Sequence, residues 1–395
     1  MRPGSTNDIN EVHIQNLTAV LLLPVFFALL NVLLHQFAPT RTPLITALIY
    51  FIVLAVILLR VRIIEINDLL LLIMIYVLFG LNYFLFIETR PFIISTDMLV
   101  VLFFYLPISV FSVSKIRDWK TFFYHMNKAS IVAITIGLII VIFLDYRSYL
   151  NYMSFSYALL PFICVLYRTF RIKGKVRYLI PPIVGMTIIL MHGSRAAILF
   201  AILYVFIYEL SNTSRKQVKK LCALTLSALI LCVVYVNIAN IARLLLRISA
   251  LENSYFLRRA AGGVLMVSSG RSLIYEACKN RLSTMGFSIT GFFGDRAYIL
   301  EHTYPHNFIY EVLMSYGWVL GIIALISFFA LIIKGLTRRN KFVRSIVVFF
   351  AVTIFARYII SGSYLIEGKF WVGLFALISL ARVPQKTLKL SKEVI

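Results

Sequence analysis

Three short polar stretches interrupt an otherwise lipid-soluble sequence, and their residue types suit the handling of an anion. They are His192-Gly193-Ser194-Arg195, Ser269-Gly270-Arg271-Ser272 and Tyr304-Pro305-His306-Asn307. Each is expected at the N-terminus of a helix, where unpaired backbone N–H groups and the positive dipole end attract negative charge. Arginine adds a planar, permanently charged fork that matches phosphate oxygens. Two arginines, Arg195 and Arg271, aimed at one pocket would suit a pyrophosphate. A histidine at a helix N-terminus, here His306, is pushed toward its neutral form, which can accept a proton. Glu311 falls on the helical turn after His306, and an ionisable residue so close to the membrane is a functional candidate by default.

Each of these residues also has a plainer reading. Arg195 can snorkel to lipid headgroups. Arg271 can pair with Glu276 or Asp295 as an ordinary loop salt bridge, and His306 can cap a helix at the interface. Tyr304, Asn307, Arg258 and Arg259 complete the set of substrate-contact candidates, although Arg258 and Arg259, with Arg243 and Arg247, more readily face anionic headgroups.

The elements that must position these residues are membrane spans. The chain has 395 residues, 61% hydrophobic and only 14% charged, too little polar surface for a soluble domain of that size. An all-α, polytopic membrane protein is expected. The net charge of +23 does not argue for nucleic acid, because Lys and Arg collect in cytoplasmic loops. The four cysteines, Cys164, Cys222, Cys232 and Cys278, form no disulfide framework and show no metal-ligand spacing. No cleavable signal peptide is expected: residues 1–16 are polar, and the first apolar run passes Leu33 without a convincing cleavage site.

Judged against the roughly 20 residues that cross a bilayer, twelve apolar spans are read. They lie near 17–36, 43–59, 69–87, 98–114, 129–144, 152–167, 177–191, 196–210, 221–240, 308–333, 343–360 and 366–382. Several are short, so the count is ten to twelve, and an even count puts both termini on one side. Of the 39 Lys and Arg residues, 25 fall in Arg2 and the segments that would share the termini's side. This positive-inside bias places both termini in the cytoplasm. It also places a large loop, residues 241–305 of a single integral membrane domain, on the extracytoplasmic face. That loop should be partly helical, with Ser268-Ser269-Gly270 as cap chemistry before Arg271 and Ile274, Tyr275, Cys278 and Leu282 at helical spacing. Pro305 suits a first helical turn, so the next helix should begin close to His306. No repeat of 20 to 50 residues is present.

Four stretches resemble the bacterial O-antigen polymerase and O-antigen ligase superfamily, which includes capsule and exopolysaccharide polymerases, and they occur in that family's order. They are Tyr152-Met153-Ser154-Phe155, then Gly193-Ser194-Arg195-Ala196-Ala197. Third comes Ser269-Gly270-Arg271 with the later Gly291-Phe292-Phe293-Gly294-Asp295. Last comes Pro305-His306-Asn307-Phe308 with Tyr316-Gly317-Trp318-Val319-Leu320-Gly321. The resemblance covers roughly residues 150 to 335. It implies a metal-independent glycosyltransferase of the polytopic GT-C type, using undecaprenyl-diphosphate-linked glycans at the outer face of the inner membrane. The family's two arginines fall on Arg195 and Arg271, and its loop histidine on His306. Asp295 receives no role, the glycine-rich stretch being looser than the family's.

On this reading Arg195 and Arg271 neutralise the charge developing on a lipid diphosphate, and His306 orients or deprotonates an acceptor sugar hydroxyl. No acidic cluster suited to Mg²⁺ lies on the expected outer face, and no cofactor is expected. Expected partners are the lipid-linked donor and acceptor glycans, membrane lipids, and a chain-length regulator and flippase; nucleic acid is not one. The Tyr-Pro-His-Asn form is closer to polymerases than to ligases, which transfer finished polymer to lipid A-core. A lipid-linked oligosaccharide flippase is the rival from another class. Transporters, however, place charge near the bilayer midplane, and ionisable residues within the spans are few, chiefly His35, Glu311 and Arg357.

Overall fold

The computed structural model describes residues 6–37, 42–61, 64–143, 151–192, 194–212, 237–249, 252, 255–262, 271–299 and 304–382. Among the described residues there are helices and no strands. In chain order the principal helices are α1 (Thr6–Phe37), α2 (Thr42–Leu59), α3 (Ile66–Leu85), α4 (Thr96–Lys115), α5 (Trp119–Phe143), α6 (Tyr152–Lys173), α7 (Ile180–His192) and α8 (Arg195–Asn212). The loop contributes α9 (Ile238–Leu245), α10 (Tyr255–Ala261), α11 (Arg271–Thr284) and α12 (Gly294–Tyr298). The chain then runs through α13 (Phe308–Leu336), α14 (Lys341–Ile360) and α15 (Gly368–Arg382).

Seven of these helices hold stretches long and apolar enough to cross a membrane, and Ile45–Leu59, Val176–Met191 and Ala196–Ser211 are shorter apolar helices. The chain is therefore a polytopic all-α membrane protein. These ten match ten of the expected spans. The span expected at 366–382 is the 15-residue α15, and the one at 221–240 lies outside the described residues. Ser268-Ser269-Gly270 lies outside them too, but α11 begins at Arg271 as its spacing predicts, with Cys278 and Leu282 buried on one face.

The chain divides into two compact units. Unit 1 comprises Met1–Leu23, Pro43–Met126 and Ser269–Ile395; unit 2 comprises Pro24–Thr42 and Asn127–Ser268. Within unit 1 the helices alternate in direction, which sorts the connections into two ends. At one end Arg117 N–H donates to Asn10 Oδ1, near the start of α1. There too Ser379 Oγ, near the end of α15, donates to the Ile116 carbonyl. The other end gathers the α3–α4 connection, α11, α12, the start of α13 and the α14–α15 connection. Both the start of α1 and the end of α15 thus lie opposite the polar residues 271–299 and 304–307.

One helix is broken where it carries the site. Gly317 in α13 has φ 70° and ψ −178°, a backbone setting that glycine adopts without a Cβ penalty. The break removes helical partners from nearby carbonyls, and the chain following α11 replaces them. Thr290 and Gly291 N–H donate to Ser315 O at 3.3 and 2.9 Å, and Thr290 Oγ1 donates to Met314 O. Trp318 Nε1–H donates to Leu282 O at 3.0 Å. A Cβ on Gly317 would lie 2.6 Å from Ser288 O, so the same glycine permits both the break and the close approach.

Candidate functional site

The polar end of unit 1 is assembled from three directions. The first is the connection after α3. Asn82 Oδ1 accepts from Phe292 N–H at 2.6 Å, while Asn82 Nδ2 donates to Thr89 Oγ1 at 3.1 Å. This clasp holds the glycine-rich stretch, and a Cβ on Gly291 would overlap Asn82 Oδ1 and the Phe86 ring.

The second is α12 and the start of α13. Arg296 is buried with Glu311, and the two are joined mainly through a serine. Arg296 Nη2 donates to Ser363 Oγ at 2.8 Å, Ser363 Oγ donates to Glu311 Oε1, and the direct Arg296–Glu311 separation is 3.9 Å. Tyr364 N–H donates to Glu311 Oε2 at 3.2 Å. Glu311, expected to contact substrate, is instead enclosed at 1% exposure, because its oxygens serve the α14–α15 connection. The Arg296 guanidinium lies 4.5 Å from the Phe293 ring centroid and 5.6 Å from that of Tyr304. Asp295, next to it, is fully buried. Neither of its oxygens has a hydrogen-bond partner among the described residues, the N–H groups of its own turn facing it at less than bonding geometry. Burial raises its carboxyl to about 6 against the opposing pull of Arg296.

The third direction is the segment before α13. Asn307 is the cap of that helix: its Oδ1 accepts from Ile309 and Tyr310 N–H at 2.9 and 3.2 Å, the bonding expected of an N-cap. Its side-chain oxygen, taken in the sequence as a substrate contact, is thereby occupied. His306 stands just outside the helix at φ 54°, a left-handed setting uncommon for a residue with a side chain. Its ring lies 4.1 Å from that of Tyr304. Burial, and next the charge of Arg271, lowers the imidazole to about 4. It is therefore neutral near pH 7, as a helix-start histidine was expected to be, though desolvation rather than a dipole is the main cause. Its Nδ1 is buried without a partner among the described residues, leaving Nε2 as the nitrogen open to a ligand.

Arg271 reaches the same end. Its Nη1 donates to Ile360 O, the last carbonyl of α14, at 2.6 Å, and among the described residues it pairs with neither Glu276 nor Asp295. A carbonyl holds the guanidinium in place without neutralising it. Beside it Arg357 Nη1 meets Glu367 Oε2 at 2.6 Å. The charges of Glu367, Arg357, Glu311 and Arg296 all act on the Tyr304 hydroxyl. Burial, the first cause, raises that hydroxyl above its ordinary value, and Glu367 adds to the rise.

The structure thus brings Arg271, Tyr304 and His306 to one end of unit 1. Arg195 opens α8 as expected but belongs to unit 2, as do Arg258 and Arg259. Arg258 is exposed and donates to Glu252 O at 3.0 Å, which fits the headgroup reading better than a substrate contact. A cavity of about 360 Å³ in unit 2 is lined by α6, α7 and α8 residues such as Ile163, Met186 and Leu190, with no charged group. Sequence reasoning missed Arg296, Ser363, Tyr364 and Glu367. Adjacent Asp295-Arg296 and the polar run Ser361-Gly362-Ser363 were the available signals. Among the described residues no cluster of His, Cys, Asp and Glu is arranged to hold a metal ion. Compared with family models, curated proteins and solved structures, the chain matches none.

Proposed function

We propose that this chain is a metal-independent glycosyltransferase that joins lipid-diphosphate-linked oligosaccharide units, an O-antigen, capsule or exopolysaccharide polymerase. The reading has it acting at the outer face of a bacterial inner membrane, with twelve spans of the GT-C type and both termini cytoplasmic. The observation that carries it is the pairing of an arginine that, among the described residues, no carboxylate neutralises with a histidine held neutral, 35 positions apart in sequence and at one end of one unit. The basic residues at the opposite end, among them Lys115, Arg117, Arg338 and Arg382, support the orientation.

In this reaction the acceptor hydroxyl oxygen bonds to the donor's anomeric carbon while the bond from that carbon to the diphosphate oxygen breaks. The lipid diphosphate leaves with the electron pair, and Arg271 stabilises the charge it gains, an electrostatic contribution of the kind that often dominates catalysis. The hydroxyl proton passes to His306 Nε2. A base that titrates near 4 is weak, but a bound diphosphate offsets the Arg271 charge that helps depress it. Donor binding therefore strengthens the base when it is needed. Arg195, which belongs to unit 2, keeps a phosphate-contact role on the resemblance alone.

The test is chain extension by purified protein supplied with a lipid-diphosphate-linked repeat unit, with excess EDTA present. Products longer than one repeat support the reading. Transport of the lipid-linked glycan without extension, or transfer only to lipid A-core, would replace it. Loss of activity restored by added metal would mean an acidic site has been missed.

A further inference from the structure

Among the described cations at the polar end of unit 1, Lys369 stands out as partly buried, whereas Lys279, also unpaired, is exposed. Among the described residues the Lys369 ammonium makes no hydrogen bond and no ion pair, although Glu367 lies two residues away. Glu367 is engaged by others: Arg357 at 2.6 Å and the Tyr358 hydroxyl at 3.4 Å. Asp97, the other carboxylate that acts on Glu367, is exposed and pairs with neither cation. Lys369 is also only partly exposed and lies within electrostatic reach of Arg357 and, in the opposite sense and more weakly, of Glu367, which it does not contact. Two cations so placed repel one another, and partial burial weakens the screening that would relieve them. A lysine snorkelling to headgroups would instead carry its charge away from the cluster.

Its position on the backbone ties it to the proposed site. Arg357 and Ile360 share the last turn of α14, Arg271 holds the Ile360 carbonyl, and Lys369 is the second residue of α15. Gly368 is buried, with no room for a Cβ against the Tyr105 ring, so the start of α15 is fixed in place. Arg271 and Lys369 therefore flank the short α14–α15 connection as two cations that, among the described residues, no carboxylate contacts. We propose that Lys369 is a second phosphate-binding residue, engaging the lipid diphosphate together with Arg271, while Arg357 is a positioning residue held by Glu367. This inference rests on the function proposed above.

The experiment compares full-length wild-type, Lys369→Ala, Lys369→Arg and Arg271→Ala proteins in nanodiscs. It measures binding of undecaprenyl diphosphate and of phosphatidylglycerol by native mass spectrometry, with KM and kcat for chain extension. Lys369→Ala is expected to weaken undecaprenyl diphosphate binding about tenfold, the loss of one charge-assisted contact. KM should rise with it, kcat should change less, and Lys369→Arg should restore most of the binding at equal abundance. If Arg271→Ala loses the diphosphate lipid and Lys369→Ala does not, this inference is wrong and the proposed function stands. Equal loss of phosphatidylglycerol would make Lys369 a headgroup contact and also overturn it. If neither variant changes diphosphate binding, the functional reading fails along with this one.

Discussion

The two ends of unit 1 are both charged, but they treat charge differently. At the end near the start of α1, Lys115 Nζ lies 2.7 Å from both Glu65 and Asp68. There His13 Nδ1 and Asn16 Nδ2 meet Ser112 Oγ at 3.1 and 3.3 Å. That end still has unbonded buried atoms, among them Asn16 Oδ1, Trp119 Nε1 and Arg344 Nε, but the buried Asp68 is neutralised by Lys115 inside the chain. At the other end, among the described residues, Arg271 holds only a carbonyl, Lys369 holds nothing, and Asp295 is buried without a hydrogen bond of good geometry. Leaving a buried polar group unbonded costs roughly 1–3 kcal/mol. Neutralised charge of the first kind does structural work, whereas charge of the second kind is positioned at a cost in stability, as a binding or catalytic group must be. Partners, not the number of charges, separate a fastening from a site.

The largest effect should come from His306. His306→Ala is expected to lower kcat by about two to four powers of ten, the usual contribution of a positioned base, while donor binding is retained. Lys115→Ala, at the neutralised end, should leave turnover per folded molecule unchanged and lower stability by roughly 1–3 kcal/mol, because Asp68 is left nearly buried without its cation. Single-turnover assays at matched abundance separate the two. A Lys115 variant that folds normally but turns over slowly would break the comparison.

Arg271 should come next. Arg271→Lys keeps the charge but not the planar fork, so it is expected to lose nearly as much activity as Arg271→Ala, about two to three powers of ten. Donor affinity should fall with it, unlike in His306→Ala. Full activity in Arg271→Lys would mean that only a point charge is required there.

Gly317→Ala should act through the fold. At φ 70° a side chain costs about 1–3 kcal/mol, and the added Cβ meets Ser288 O. Lower abundance and a lower apparent melting temperature are expected in detergent, with any surviving protein near normal in turnover. A fully stable Gly317→Ala would show that the break in α13 is less fixed than its carbonyl contacts imply.

How much of this the sequence discloses follows from what is local. Apolar run length marks the spans, and the uneven spread of Lys and Arg along the chain separates the two ends. Helical spacing points Cys278 and Leu282 inward, and Pro305 signals the start of α13 to within three residues. The break at Gly317 is hidden, because Tyr316-Gly317-Trp318 sits in an apolar stretch that reads as continuous helix. Glu311 reads as a site residue because an acid near the membrane suggests function. Its engagement depends on Ser363 and Tyr364, more than fifty positions away, and nothing local names such partners. Asp295 and Arg296 are neighbours in sequence, yet the short helix sends Arg296 to Ser363 and leaves Asp295 without a hydrogen bond among the described residues. Nor does any shift in composition mark the division into two units, which cuts α1 at Pro24 and α5 after Met126.

The smallest and most specific effect is on pH dependence, because the polar end holds two groups shifted in opposite senses. His306 is lowered to about 4, so between that value and its ordinary 6.5 the unfolded chain binds more protons than the folded one. Its contribution to stability is complete above about 6.5 and is lost as the pH falls toward 4. Asp295 is raised to about 6 from 3.8, so its contribution has the opposite sign: it is complete below 3.8 and lost as the pH rises through 6. Across the window from 4 to 6 the two partly offset, and the wild-type melting temperature should vary little on their account. Asp295→Asn removes one side. It should be more stable than wild type near pH 7.5, where the buried carboxylate is charged, and should then lose melting temperature more steeply from pH 6.5 to 4. His306→Ala should show the reverse slope, and the double variant should keep only a weaker slope of that sign, from Glu367, whose carboxyl burial also raises. Thermal unfolding in detergent at half-unit pH steps reads all four curves. Parallel curves for wild type and Asp295→Asn would mean that the Asp295 carboxyl is not displaced, and that the polar end carries less uncompensated charge than its buried, unbonded groups imply.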